Sequence, residues 1–326
     1  MKRRISDLEI VAFGGGTGLS TILRGLKKHC GNITAIVTMA DDGGGSGQLR
    51  NDLGMPPPGD IRSCLEALAN VEPTLQKLLG YRFNEGVLTG QSLGNLFLAA
   101  LNDISGSFYG AVQSLSEVLA ITGRVLPVTS EDVHLLAHFD DGTEIIGESK
   151  IRSFKKEGDR RISKIGLIPD SPDALEDSIR AIETADIILL GPGSLYTSII
   201  PNLLTKGVSE AIAKSEALRV YILNVATEDG ETDNFTASDH LKVIFAHSGG
   251  KIVDYCLANS EIFPDFVEQN HRSRGGGQTI LDTAEISALG VTTIARPVLD
   301  CGDGFGHHDS DKIAAELMAL YYEKTG

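Results

Sequence analysis

The segment from Glu9 to Val37 constrains the fold more than any other part of the chain. Glu9-Ile10-Val11-Ala12-Phe13 is a short apolar run of buried-strand type, and Gly14 to Gly18 holds four glycines in five positions. Leu19, Ile22, Leu23 and Leu26 then fall on one helical face, and Asn32-Ile33-Thr34-Ala35-Ile36-Val37 restarts a strand. Strand, helix and strand at this spacing form a βαβ unit, which requires a parallel sheet covered by helices.

The rest of the chain repeats that alternation. Strands are expected at Val125 to Thr129, Ile187 to Leu190, Val220 to Val225, Ile252 to Leu257 and Val291 to Ala295. Helices are expected at Ile61 to Asn70, Leu93 to Leu101, Ala111 to Ile121, Ala174 to Thr184, Ser238 to His247 and Asp311 to Tyr322. From Val133 to Gly147 the period changes to two, with Asp140-Asp141-Gly142-Thr143 as a turn, so a β-hairpin interrupts the alternation. The expectation is a single α/β domain over residues 1–326, Rossmann-like, with helices on both faces of a mostly parallel sheet and an inserted hairpin region at about 130–168.

Composition excludes several classes. A formal net charge of −15 argues against a general nucleic-acid or membrane-surface binder, since those affinities rest on lysine and arginine meeting phosphates. Cys30, Cys64, Cys256 and Cys301 are scattered, which indicates neither a zinc site nor a disulfide framework. The start, Met1 to Glu9, precedes too short an apolar run for a signal peptide, and no stretch approaches the ~18 apolar residues of a membrane span, so a cytoplasmic protein without membrane insertion is expected.

Gly14-Gly15-Gly16-Thr17-Gly18-Leu19-Ser20 lies between strand and helix, where backbone amides and the positive helix end hold phosphate oxygens. The dinucleotide fingerprint fails because Leu19 stands at its third glycine, and the Walker lysine is absent. The bland reading is that these glycines only let the helix pack on the sheet. The second strand ends at Asp41-Asp42, which either reads a ribose, ligates Mg²⁺, or merely caps a turn. Arg50 and Arg62 follow, as cations for a diphosphate or as surface charges.

A second strand-to-helix loop runs from Gly191 through Pro192 and Gly193 to Ser198, with the hydroxyls of Ser194, Thr197 and Ser198 suited to an anionic or sugar group. Two such loops suggest a two-part ligand. A polar run from Asn224 through Thr227 to Asn234 marks a third strand end, and His307-His308-Asp309 precedes the last helix, as a cap or as a binding group. Gly90-Gln91-Ser92-Leu93-Gly94 matches the serine-hydrolase elbow formally, but a helix entry at Ser92 is preferred. His134 and His138 have metal-like spacing but lie on one face of a strand, so a structural role is expected.

Together these segments resemble the CofD-like family, and within it the bacterial YvcK-type gluconeogenesis factors. The likeness runs through Gly14 to Ser20, Thr38 to Arg50, Pro58-Gly59-Asp60-Ile61-Arg62, Gly94-Asn95-Leu96, Gly191 to Pro201 and Asn224-Val225 with Thr227 to Asp233, across nearly the whole chain. It implies a homodimer or related assembly, with ligand held at the strand ends and Asn95 among the binding residues. The archetypal enzymes transfer a phospholactyl group from a guanosine diphosphate carrier to a deazaflavin precursor with Mg²⁺. The YvcK-type branch implies instead a UDP-sugar-binding regulator, with UDP-N-acetylglucosamine as the expected ligand, needed for gluconeogenic growth and cell shape. One departure stands out: relatives often carry Arg-His-Asp before the final helix, and His307 occupies the arginine's place. A histidine is charged only below about pH 6.5 unless perturbed.

Overall fold

The computed structural model describes residues 4–156, 158 and 160–325. Its center is a parallel sheet of seven strands. In chain order the strands are β1 (Ile10–Gly14), β2 (Ile33–Val37), β3 (Arg124–Pro127), β4 (His134–Phe139), β5 (Glu144–Ile146), β6 (Ile162–Ile168), β7 (Ile187–Leu190), β8 (Leu218–Ile222), β9 (Tyr255–Asn259), β10 (Thr292–Arg296), β11 (Leu299–Asp300) and β12 (His307–His308). The large sheet has the order β10-β9-β8-β7-β1-β2-β3. Every residue of β1, β2 and β7 is buried, which is why these strands read as continuous apolar runs rather than alternating ones.

The strand order reverses beside β1. The chain leaves β1 through the helix Gly16–Leu26 to β2 on one side, and later returns to place β7 on the other. Right-handed crossovers in opposite directions put helices on both faces of the sheet. Gly14 at the end of β1 and Leu190 at the end of β7 therefore emerge side by side at the switch point, where open sheets of this kind bind ligands.

The expected elements are found with shifts of a few residues, and several helices go beyond them. Gly44–Leu53 is a helix although three of its ten residues are glycine. Its Gly47 is required, because a Cβ there would lie 1.9 Å from the carbonyl oxygen of Asp42. Helices Pro73–Gly80, Glu148–Lys156, Val208–Lys214, Asp265–Ser273 and Thr283–Ala288 are likewise additional to those expected.

The inserted hairpin is present and gains a third strand, giving the antiparallel order β5-β4-β6. Leu135, Ala137 and Phe139 face inward, while His134 and His138 share the outer face beside Asp132 and Glu144, as a structural role requires. Ser92 caps the helix Leu93–Ser105 by accepting from the Asn95 amide at 3.2 Å, so the formal elbow motif is a helix start. Cys30, Cys64 and Cys256 are buried, Cys301 is half-buried, and all four are free thiols. Among the described residues no helix is long and apolar enough to cross a membrane.

The helix Gly16–Leu26 packs on the final helix, Ser310–Thr325, through Gly25, where a Cβ would stand 2.0 Å from the Ser310 carbonyl oxygen. Gly25→Val should therefore cost about 1–3 kcal/mol by overpacking. Gly31→Ala has nothing within 4 Å and should stay within about 0.5 kcal/mol of the parent in urea denaturation. Equal stabilities for the two variants would refute the close-packing role.

Candidate functional site

A cleft of about 980 Å³ opens over the switch point and is lined from both glycine-bearing loops. The first loop supplies Gly15, Gly16, Thr17 and Gly18, and the helix begins at Gly16, so its first-turn amides have no intrahelical acceptor. Gly16 has a φ of +60°, a conformation that favours glycine. Gly18 serves a different purpose, because a Cβ there would come within 2.6 Å of the Pro192 carbonyl oxygen. That glycine lets the two loops touch, so close packing and ligand access are combined in one segment. Gly14 closes the strand below, its carbonyl accepting from Thr38 and Asn202, and Ser20 is buried with its hydroxyl turned back to the Thr17 carbonyl.

The second loop is fixed by Asn224, whose side chain accepts from the Gly193 amide at 3.1 Å and donates to the Gly193 carbonyl at 2.9 Å. Gly191 continues the β-ladder by donating to Phe13, with a φ of +79°. Ser194 donates to Glu228 at 2.5 Å and Thr197 to Glu231 at 3.3 Å. Both hydroxyls line the cleft while held by carboxylates. Thr227, on the third strand end, exchanges hydrogen bonds with Gly277 and also lines the cleft.

The two adjacent aspartates divide their work. Asp41 faces the cleft and accepts from the Gly43 amide at 2.9 Å. Asp42 is outside the lining and accepts from the Ser149 amide at 2.8 Å, capping the helix Glu148–Lys156 of the insertion. That cap brings Glu148 to the cleft wall, beside Asp41 and Asp60. Asp60 overhangs the first loop: a Cβ on Gly15 would lie 2.3 Å from its Oδ2.

Asp60 and Glu148 both stand beside Asp41, whose like charge opposes their ionisation. Burial, then Asp41, push Asp60 up to about 7 against the opposing Gly16 amide and Arg62. Burial, then Asp41 and its hydrogen bond, push Glu148 up to about 8.

The expected arginines and Asn95 are placed elsewhere. Arg50 is buried, with its guanidinium on Asp132 and the Val133 carbonyl. Arg62 binds Glu66 at 2.8 Å and Asn95 at 3.0 Å, so these three form a helix-to-helix polar contact outside the cleft lining. His307 does line the cleft, and its Nε2 is 3.0 Å from Asp303. His308 binds the Leu223 carbonyl, and burial pushes it down to about 4, so it is neutral. Asp309 accepts from the Asp311 and Lys312 amides and caps the last helix.

Sequence reading assigned no role to Asp60, Glu148, His271, Arg274 or Phe305, all of which line the cleft. The run Gly275-Gly276-Gly277 directly after Arg274 was the available signal, since it marks a third close backbone approach. A Cβ on Gly276 would stand 2.6 Å from the Thr227 carbonyl oxygen.

Fold and site define a Rossmann-like protein with a glycine-lined cleft at the switch point of its sheet, and comparison places it more narrowly. The family model described as 2-phospho-L-lactate transferase CofD matches residues 10–299, and the chain belongs to the CofD family. Within it, the chain is 45% identical over 316 residues to the gluconeogenesis factor of Bacillus subtilis, covering 97% of this chain and 98% of that one. It is 45% identical over 310 residues to the gluconeogenesis factor of Halalkalibacterium halodurans, covering 95% of each. A crystal structure of a Bacillus halodurans protein of the UPF0052 family matches with a TM-score of 0.92 at 44% identity, covering 96% of this chain and 100% of that one.

The raised carboxyls set a pH dependence. The unfolded chain ionises Asp60 and Glu148 near their ordinary values, and the folded chain only near 7 and 8. The folded state thus binds more protons between about pH 4 and 8, and stability falls as pH rises through that window. Asp60→Asn and Glu148→Gln should each flatten the fall in melting temperature of the ligand-free chain between pH 5 and 8.5. A pH slope identical to the parent in both variants would show that these carboxyls ionise normally.

Proposed function

We propose that the chain binds a UDP-sugar in the switch-point cleft without consuming it and acts as a cytoplasmic regulator of gluconeogenic growth and cell shape. The carrying observation is that two glycine-bearing strand-end loops, touching at Gly18 and Pro192, open onto one cleft. Amides at a helix start donate to phosphate oxygens, and a cleft at the upper end of the usual ~300–1,000 Å³ suits a two-part ligand better than a lone phosphate. The preference for a uridine base and for N-acetylglucosamine comes from the resemblance to the YvcK-type branch alone, while the link to gluconeogenic growth is also supported by relatives named gluconeogenesis factors.

Mg²⁺ fits the chemistry of the donor set. Among the described residues no group of three His, Cys, Asp or Glu side chains is placed to hold a metal unaided. Mg²⁺ commonly binds through one or two carboxylates plus phosphates, and Asp41 with Asp60 or Glu148 would provide those carboxylates in their ionised state. The metal would supply charge neutralisation between them and the diphosphate. The second reading, phospholactyl transfer to a deazaflavin acceptor, is favoured by the family match itself.

A homodimer belongs to the same proposal. The helix Leu93–Ser105 leaves Phe97 40% and Ile104 79% exposed, with Leu93 and Ala100 at interleaved heptad positions and Asp103 as its one charge. For two copies that each carry −15, this charge-poor face meets the least repulsion. The parent should sediment as a dimer and Ile104→Glu as a monomer; a monomeric parent would exclude the assembly.

UDP-N-acetylglucosamine with Mg²⁺ should raise the melting temperature, NAD should not, and chromatography should recover the ligand intact. Gly16→Val should abolish the shift, since a β-branched side chain at positive φ distorts the loop. Steady release of UDP or UMP would refute non-catalytic binding, and phospholactyl transfer from a GDP carrier would establish the transferase reading instead.

A further inference from the structure

The cleft has a severe charge imbalance. Its lining holds the carboxyl groups of Asp41, Asp60, Glu148, Glu228, Asp229 and Asp303, and among the described residues Arg274 is its single lysine or arginine. A diphosphate entering such a site meets repulsion that neutral backbone donors only partly offset, and a fixed guanidinium is the side chain best suited to reverse it.

Arg274 is fixed. Its guanidinium carbon lies 3.8 Å over the centroid of Phe305, with no carboxylate partner among the described residues. Stacking occupies the faces of the planar group and leaves its N–H edge free, the edge that forms bidentate bonds to phosphate oxygens. Both members of the stack are held from behind. Gly275, with a φ of +85°, lies so close to Asp229 that a Cβ would come within 2.5 Å of its carboxyl carbon, and Gly277 exchanges hydrogen bonds with Thr227. On the other side the Gly306 amide donates to His271 Nε2 at 2.9 Å, and Phe305 packs edge-on against the same imidazole at 5.4 Å. His307, the other cationic candidate on this wall, is engaged with Asp303.

We propose that Arg274, stacked on Phe305, is the anion-binding residue of the cleft and receives the phosphate portion of the ligand opposite the glycine loops. This rests on the reading of the cleft as a site for a phosphorylated ligand, but not on which base or sugar that ligand carries. The role belongs to a residue on the segment between β9 and β10, far in sequence from either loop.

The test is calorimetry on the full chain with UDP-N-acetylglucosamine, GDP and inorganic pyrophosphate as separate probes, each with Mg²⁺. Arg274→Ala should weaken every probe that binds the parent by about 10- to 100-fold and lower the salt dependence of that binding. Arg274→Lys should recover little, because an ammonium neither stacks as a plane nor bonds in a fork. Phe305→Leu should weaken binding several-fold with the arginine intact. Arg272→Ala, which loses only an exposed pair with Glu268, should match the parent. Melting curves establish that each variant is folded. Unchanged affinity and salt slope in Arg274→Ala, for any probe the parent binds, overturns this inference and leaves the ligand reading standing. Binding of pyrophosphate or GDP but not the UDP-sugar overturns that ligand reading while Arg274 is still tested, and a parent that binds none of the probes overturns both.

Discussion

The close approach of the Gly18 backbone to the Pro192 carbonyl is the constraint on which the site depends. It can exist only because β1 and β7 are hydrogen-bonded neighbours whose following segments turn to opposite faces of the sheet. Without side chains at the point of contact, two helix-entry loops share one opening instead of forming two separate shallow ones. The loops also hold each other: Asn224, just after β8, brackets Gly193, and Asn202 reaches back to the Gly14 carbonyl. The amides are thereby preorganised before any ligand arrives, which lowers the ordering cost of binding.

Electrostatics set the second constraint. Asp41, Asp60 and Glu148 gathered on one wall and, among the described residues, a single guanidinium near Asp229 and Asp303 on the other give the cleft a polarity that a neutral ligand would not exploit. At neutral pH Asp60 and Glu148 share protons with their surroundings, so the site can accept a cation by releasing protons rather than by rearranging its backbone. In the proposed reading this coupling makes the affinity for a phosphorylated ligand depend on both metal and pH, and measurements at one condition describe only one charge state.

Local signals carried much of the fold. The apolar runs of β1, β2 and β7 are fully buried, and such strands announce themselves by composition. The two glycine loops, the period-two hairpin and the Ser92 cap were equally legible, since each follows from chemistry within a few residues. The third strand of the insertion and the helix Gly44–Leu53 were not. The glycine-rich start of that helix reads as a turn because Gly47 answers to the Asp42 carbonyl rather than to local propensity. Arg50 and Arg62 lie near the site in sequence but spend their charge on Asp132 and Glu66, which only tertiary structure reveals. Conversely, Glu148 and Arg274 come from an inserted element and a distant connection, positions that no spacing rule links to the first loop.

Asp42 gives the insertion a mechanical tie to the sheet. By capping the helix Glu148–Lys156 from the end of β2, it makes one wall of the cleft a detachable part, held by a carboxylate that does not line the cleft. Loss of Asp42 would therefore imitate loss of a ligand contact while acting through leverage. A relative with the same sheet but a different insertion would keep the two glycine loops and exchange the chemistry facing them. The sheet fixes where the cleft opens, and the graft decides what lines it.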